Sequence, residues 1–435
     1  MNRLILIVVV LLSFDINGQE TNRIEYAEKL SLEIAEKLQR ERYDDIIAHF
    51  DDNLTAILDK GRITALMGQL HMQYGQLDSI LLFTDEVRAE TINYRRGLMF
   101  GPQKFDLIFS LDKENKINSF RLSTHQDKST WMKPTYVDME KFSNQTISIG
   151  EEDPLLGEIS LPNTSYKVMV VLVHGSGPNN MNERLGPNEL FKDLAYGLAT
   201  NGIACLRYNK RTYDYQSKMA ESQSEIGIDE VVVNDAILAI KKAQEKNVDK
   251  VILIGHSMGG HMAPKIAANA NLDGVIVMAG NSGPLIDLIL PQIEHIYEND
   301  PESSLNEFKV NMVKAQIKTV QDGNFDESTS VGALPLGLPA KFWISLQGYE
   351  PAKLAKKQDI PYLVLNGERD YQVTPQEAQN WNIEKKGEKS KLIIYPKLNH
   401  MFFAGEGVCI PSEYQKVGHL DEKVLSDIIE WINAL

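Results

Sequence analysis

The sequence has two cysteines in 435 residues, Cys205 and Cys409, and its nine histidines form no H-E-x-x-H run or Cys/His cluster. Such a chain is not a disulfide-stapled scaffold, and no metal site of familiar spacing is readable in it. Positive charge is also scarce: 45 Lys and Arg against 60 Asp and Glu leave a formal net charge of −15. Nucleic acid and anionic membrane surfaces select clustered basic residues, so neither is expected as a partner. Nor is there an apolar run long enough to span a bilayer. The run Leu4 to Leu12 follows Arg3 and gives way to Ser13, Asp15, Asn17 and Gly18, the layout of a secretory signal peptide over residues 1–18, cleaved after Gly18. No Cys follows it to carry a lipid, so the expected product is soluble and exported, periplasmic or extracellular. Cys205 lies in the apolar run Ile203 to Tyr208, and both thiols are expected to stay unpaired, since buried free Cys is common even where disulfides are permitted.

What is present is a globular composition, 43% hydrophobic and 24% charged, in a chain long enough for two or three units. Residues 20–125 open with Ile24, Ala27, Leu30, Ile34, Ala35 and Leu38 at helical spacing, followed by a second helical stretch, Ile63 to Tyr74. Strand-like runs come next: Ser79 to Phe83, Glu90 to Met99, and Phe105 to Ser110, the last joined through "DKENK" to Ile117 to Leu122 as a hairpin. Helices first and meandering strands afterwards predict a small α+β domain. Residues 126–144 read as a linker.

From residue 145 to 435 the pattern is α/β. The runs "VMVVLVHG", "IACLRYN", "VILIG", "GVIVMAG", "YLVLNG" and "KLIIYP" alternate with amphipathic helical stretches. Near-continuous Val/Ile/Leu runs imply strands buried on both faces, hence a mostly parallel sheet covered by helices. "QTISIG" and "LGEISLP" predict an antiparallel hairpin at its edge. Between "GVIVMAG" and "YLVLNG" lies a long interruption. Helical patterns at Leu285 to Tyr297 and Leu305 to Val320, then "GALPLGLPAKFW", predict a cap insertion at about 284–350 over the carboxyl edge of the sheet, where ligands bind. Its apolar residues would either line a pocket, with Phe342 and Trp343 in its roof, or simply pack helices.

The chemistry is concentrated in "VILIGHSMGG", residues 251–260. A strand, a turn with Gly255 and Gly259 flanking Ser257, and a helix starting at once form the order of a nucleophile elbow, in which helix N-terminal N–H groups face a developing oxyanion. Pro264 is expected to bend that helix. A serine nucleophile requires a base and an orienting acid, which in this architecture follow in the order Ser, acid, His. "YLVLNGERDYQV" supplies Asp370, with Glu368 as the alternative acid; Asp370 is preferred because it sits further past its strand. "KLIIYPKLNHMF" supplies His400. In "VLVHGSGP" the N–H of Ser176 can join that of Met258 as oxyanion donors. His256 and His261 flank the elbow and are not expected to act as bases.

With "GHSMGG", "HGSGP", "GERD" and "NH" in order, residues 145–435 resemble the α/β-hydrolase superfamily. Together with the leader, the N-terminal α+β domain, "LRYNKR" and "GHSMGGHMAPKIA", the chain resembles the secreted EstD-like carboxylesterases, and its first domain resembles cystatin- or NTF2-like small domains. The resemblance implies ester hydrolysis by Ser257, Asp370 and His400. Asn209 stands in "LRYNKR" where related sequences often carry an acid, which puts one local contact in question. The expected function is therefore a serine carboxylesterase for short- to medium-chain esters, with no cofactor and no metal. A serine peptidase is the runner-up, although "HGSGP" departs from the HGGPG of proline-specific aminopeptidases. A thioesterase or acyltransferase shares the acyl-enzyme step. A non-enzymatic binding protein would be expected to lack part of the triad. The N-terminal domain is expected to serve packing or homo-oligomer assembly, not chemistry.

Overall fold

The computed structural model describes residues 23–435 except 89–90, 102, 125–130, 222, 304 and 384–386; the expected leader at 1–18 lies outside them. The chain divides into two units, the boundary falling between Asp127 and Lys128.

In the first unit a helix over 23–39 buries Ala27, Leu30, Ile34, Ala35 and Leu38, the residues at helical spacing. Helices Tyr43–Ile47, Asp52–Ile57 and Lys60–Tyr74 follow, the last two capped by the carboxylates of Asp51 and Asp59, which satisfy otherwise unpaired N–H groups. Strands β1 (Leu77–Arg88), β2 (Thr91–Phe100), β3 (Gln103–Leu111) and β4 (Ile117–Thr124) form an antiparallel sheet in that order. The buried Arg96 guanidinium links sheet to helix, donating to Ser31 Oγ at 3.0 Å, the Glu28 carbonyl at 3.0 Å and the Leu81 carbonyl at 3.1 Å.

The second unit is built on β5 (Phe142–Ile149), β6 (Leu155–Pro162), β7 (Val168–Val173), the two-residue pair β8 (Arg184–Leu185) and β9 (Asn188–Glu189), β10 (Ala204–Tyr208), β11 (Lys250–His256), β12 (Gly274–Met278), β13 (Tyr362–Gly367) and β14 (Lys391–Tyr395). Eight of them make one sheet in the order β14-β13-β12-β11-β7-β10-β6-β5. From β10 to β14 the pairing is parallel, while β6 and β5 add antiparallel strands at the edge. The apolar runs behave as their composition requires. In β7, Met169, Val171 and Val173 enter one core while Val170 and Leu172 enter the other; Leu253 and Ile252 in β11, and Val275 and Ile276 in β12, divide in the same way.

Two details differ from the sequence reading. The stretch read as linker is tied to the second unit from Trp131 onward: its indole donates to Asp193 Oδ1 at 2.6 Å, and Val137 is part of the core. Phe342 and Trp343, only 1% and 2% exposed, pack edge to face at 5.4 Å in the main core with Ile289, Ile317 and Leu334. The aromatic pair therefore fastens the insertion down and leaves little ring surface to roof a pocket. Pro264 stays inside the helix Met258–Ala267.

Candidate active site

The turn after β11 shows why its glycines are there. A Cβ on Gly255 would lie 2.3 Å from the Gly259 carbonyl oxygen, and one on Gly259 would lie 2.1 Å from that of Val173. Any other residue at either position would force the strand and helix apart. Between them Ser257 adopts φ 52°, ψ −115°, a conformation uncommon for a residue with a side chain. Its N–H is held by the Met278 carbonyl at 2.8 Å and its carbonyl accepts from His261 at 2.9 Å. The helix Met258–Ala267 begins immediately after it.

Asp370 and His400 meet. His400 Nδ1 donates to Asp370 Oδ2 at 2.7 Å, while the other carboxylate oxygen accepts from the N–H groups of Gln372 and Val373 at 2.8 and 2.9 Å. Both side chains are enclosed, Asp370 at 2% and His400 at 4% exposure. Glu368 is exposed. His400 lies at the elbow through His256: the two rings are 4.9 Å apart, and His256 Nε2 donates to the His400 carbonyl at 3.0 Å, which fixes the proton on that nitrogen. His256 Nδ1 stands 3.1 Å from Glu183 Oε1, an ion-pair contact outside hydrogen-bonding angles. Burial disfavours charge on His256, yet Glu183 raises its pKa above the ordinary value. His261 is buried, edge-on to Tyr349, and burial pushes it down to about 4, so it packs as a neutral ring.

Ser176 is exposed near the start of the loop after β7. Among the described residues, neither its N–H nor that of Met258 donates to another backbone carbonyl. Two uncommitted amides beside a strained serine are what an oxyanion hole requires.

Sequence reasoning missed the groups that hold these parts in place. Arg369 and Asn399, each one residue before Asp370 or His400, converge on Glu413: the guanidinium donates at 3.0 and 2.6 Å and the amide at 2.7 Å. Burial works against the Glu413 charge, but Arg369 and Asn399 hold its pKa below the usual carboxylate value. Glu413→Gln keeps the shape and removes the charge. Steady-state kinetics should show kcat lower by about tenfold with KM little changed, since small displacements of reacting groups cost rate before they cost binding. The insertion grips the same loops: Gln292 donates to the Gln372 carbonyl at 2.8 Å, and His295 stacks on Tyr371 at 4.5 Å while donating to the Cys409 carbonyl at 2.8 Å. No sequence signal marks these contacts. Asn209 replaces the acid expected there and makes its own contacts, accepting from Met181 N–H at 2.7 Å and donating to Asp214 at 2.9 Å. Cys205 and Cys409 are buried and free. Among the described residues no group of His, Cys, Asp and Glu could hold a metal ion, and no helix is long and apolar enough to cross a membrane.

Residues 164–406 match the family described as Serine aminopeptidase, S33. The chain is 32% identical over 400 residues to Esterase EstD of Thermotoga maritima, covering 91% of this chain and 92% of that protein. Among solved structures it is similar to Est1E from Butyrivibrio proteoclasticus, at 16% identity and TM-score 0.42, covering 66% of this chain and 99% of that one. It is also similar to a Pyrococcus furiosus esterase, at 13% identity and TM-score 0.45, covering 71% and 96%.

Proposed function

The chain belongs to the α/β-hydrolase family, as a serine hydrolase of the S33 type, and from that membership we propose that it is a carboxylesterase acting on short- to medium-chain esters through Ser257. The observation that carries the reading is the 2.7 Å contact of Asp370 with His400 behind a strained serine elbow. Ser257 Oγ attacks the ester carbonyl as His400 Nε2 takes its proton. The N–H groups of Ser176 and Met258 stabilise the oxyanion. Collapse of the tetrahedral adduct breaks the ester C–O bond, and the alcohol leaves with the proton from His400. Water repeats the sequence on the acyl-enzyme, with Asp370 holding the imidazole in the productive tautomer throughout. Protein groups and water complete every step, so the proposal invokes no cofactor or metal.

The family's description favours a second reading, a peptidase. Activity on p-nitrophenyl esters of graded length, measured beside aminoacyl anilides, separates the two: ester turnover should exceed anilide turnover by orders of magnitude, and the reverse order would make the chain a peptidase. We also propose that residues 1–18 direct export, which N-terminal sequencing of the mature protein tests, and that the N-terminal unit serves packing or homo-oligomer assembly.

Acyl preference should peak at short to medium chains and fall for long ones, without activation at a lipid interface, each accommodated methylene contributing about 0.8 kcal/mol. The burial of Phe342 and Trp343 shifts where this is tested. Phe342→Ala should lower unfolding free energy by about 3–5 kcal/mol in urea titration, the usual cost of emptying a core aromatic site. The half-buried Leu290 and Ile293 of the insertion helix are the better truncations for moving the chain-length optimum. A profile unchanged by both would separate the insertion from the acyl pocket.

A further inference from the structure

Lys210 is 3% exposed at the end of β10, and among the described residues no carboxylate lies within ion-pair distance of its ammonium. Burying an ammonium without such a partner is costly. Its contact is the Gly175 carbonyl, to which Nζ donates at 2.8 Å. Burial lowers its pKa to about 8, with Glu183 and Asp235 opposing that shift. A void of about 10 Å³ beside it, lined by His174, Tyr208, Val232 and Asp235 among others, has room for about one water.

We propose that Lys210 is a positioning residue of the oxyanion hole: by gripping the Gly175 carbonyl it turns the Ser176 N–H of the same peptide unit toward Ser257. In a trans peptide the C=O and N–H point in opposite directions, so fixing one aims the other. The Gly175 α-carbon already abuts the nucleophile, since a Cβ built there would lie 3.1 Å from Ser257 Cβ. The flanking groups are fixed as well. Glu183 accepts the Gly175 N–H at 2.5 Å, Lys210 N–H donates to the Asn179 carbonyl at 3.0 Å, and Asn179 Nδ2 donates to the Ser176 carbonyl at 2.9 Å. The loop thus has its carbonyls drawn one way, and the Ser176 N–H is left for a ligand.

This inference rests on the esterase reading of Ser257 and Ser176, and the experiment separates the two. Full-length wild type, Lys210→Met and Asn179→Ala would be compared for kcat and KM on p-nitrophenyl butyrate and for inhibition by an alkyl trifluoromethyl ketone, which forms an oxyanionic hemiketal with a serine nucleophile. Active sites would be counted with an alkyl phosphonate fluoride. Lys210→Met should lower kcat and ketone affinity together by about a hundredfold, the scale of losing one oxyanion donor, with KM changing by less than about threefold. Asn179→Ala removes the second side-chain donor to the Gly175 carbonyl, Asn179 Nδ2 at 3.4 Å; it should lower the same two quantities by about three- to tenfold, and it decides the matter if Lys210→Met does not fold. A purely structural lysine would reduce the number of active sites but leave ketone affinity per site unchanged, and that result overturns the proposal. Failure of the ketone to inhibit the wild type would instead overturn the reading of Ser257, and this inference with it.

Discussion

Ser257→Ala should remove about five to six orders of magnitude of ester turnover, leaving only what the oxyanion amides and binding provide over water. The fold should survive. Ser257 Oγ holds no hydrogen bond among the described residues that the methyl group would break, and Ala inherits the same φ of 52° without adding bulk. Unfolding free energies should therefore agree to within about 0.5 kcal/mol, the range of substitutions that touch no core or buried polar group. An alkyl phosphonate fluoride should add one group to the wild type, located by peptide mass spectrometry at Ser257, and none to the variant. Persistent labelling of the Ala protein would place the nucleophile elsewhere.

Asp370→Asn should lower kcat by about 10³- to 10⁴-fold, because it reverses a tautomer without moving an atom. The Asn carbonyl can still accept from Gln372 and Val373, as Asp370 Oδ1 does. Its amide then faces His400 Nδ1, where the carboxylate accepted a hydrogen bond at 2.7 Å. The imidazole must accept at Nδ1 and carry its proton on Nε2, so it can no longer take one from Ser257. Glu368→Gln, on an exposed side chain, should cost less than about threefold. Exchange of these two outcomes would mean the acid is Glu368. Combining Asp370→Asn with His400→Ala should add little to the single loss, since the groups act as a unit.

The elements whose information is local were legible in the amino-acid order. Continuous Val and Ile runs in β7, β11 and β12 predict strands buried on both faces, and those strands divide their residues between two cores. The glycines around Ser257 predict a tight strand-turn-helix, and the close approaches at Gly255 and Gly259 are its cause. Order along the chain brought forward Asp370 and His400 because each follows the end of a strand, and a parallel sheet gathers strand ends on one edge. The preference for Asp370 over Glu368 came from that same spacing.

What supports those residues was illegible for a physical reason. Lys210 reaches Gly175 across 35 positions, Glu413 reaches Arg369 across 44, and His256 reaches the His400 carbonyl across 144. A lone Lys at a strand end or a Glu in a 3₁₀ turn has no periodicity to announce a partner, and its pairing exists only once the sheet has set the loops side by side. The same holds for Phe342 and Trp343: apolar character ensures that they seek burial, but whether they roof a pocket or fill a core depends on the direction in which the insertion docks. Sequence alone determined the strands, the elbow and the order of Ser257, Asp370 and His400 along the chain; tertiary structure decided which buried charges lie against the loops that carry them, because those contacts depend on distances that no local pattern encodes.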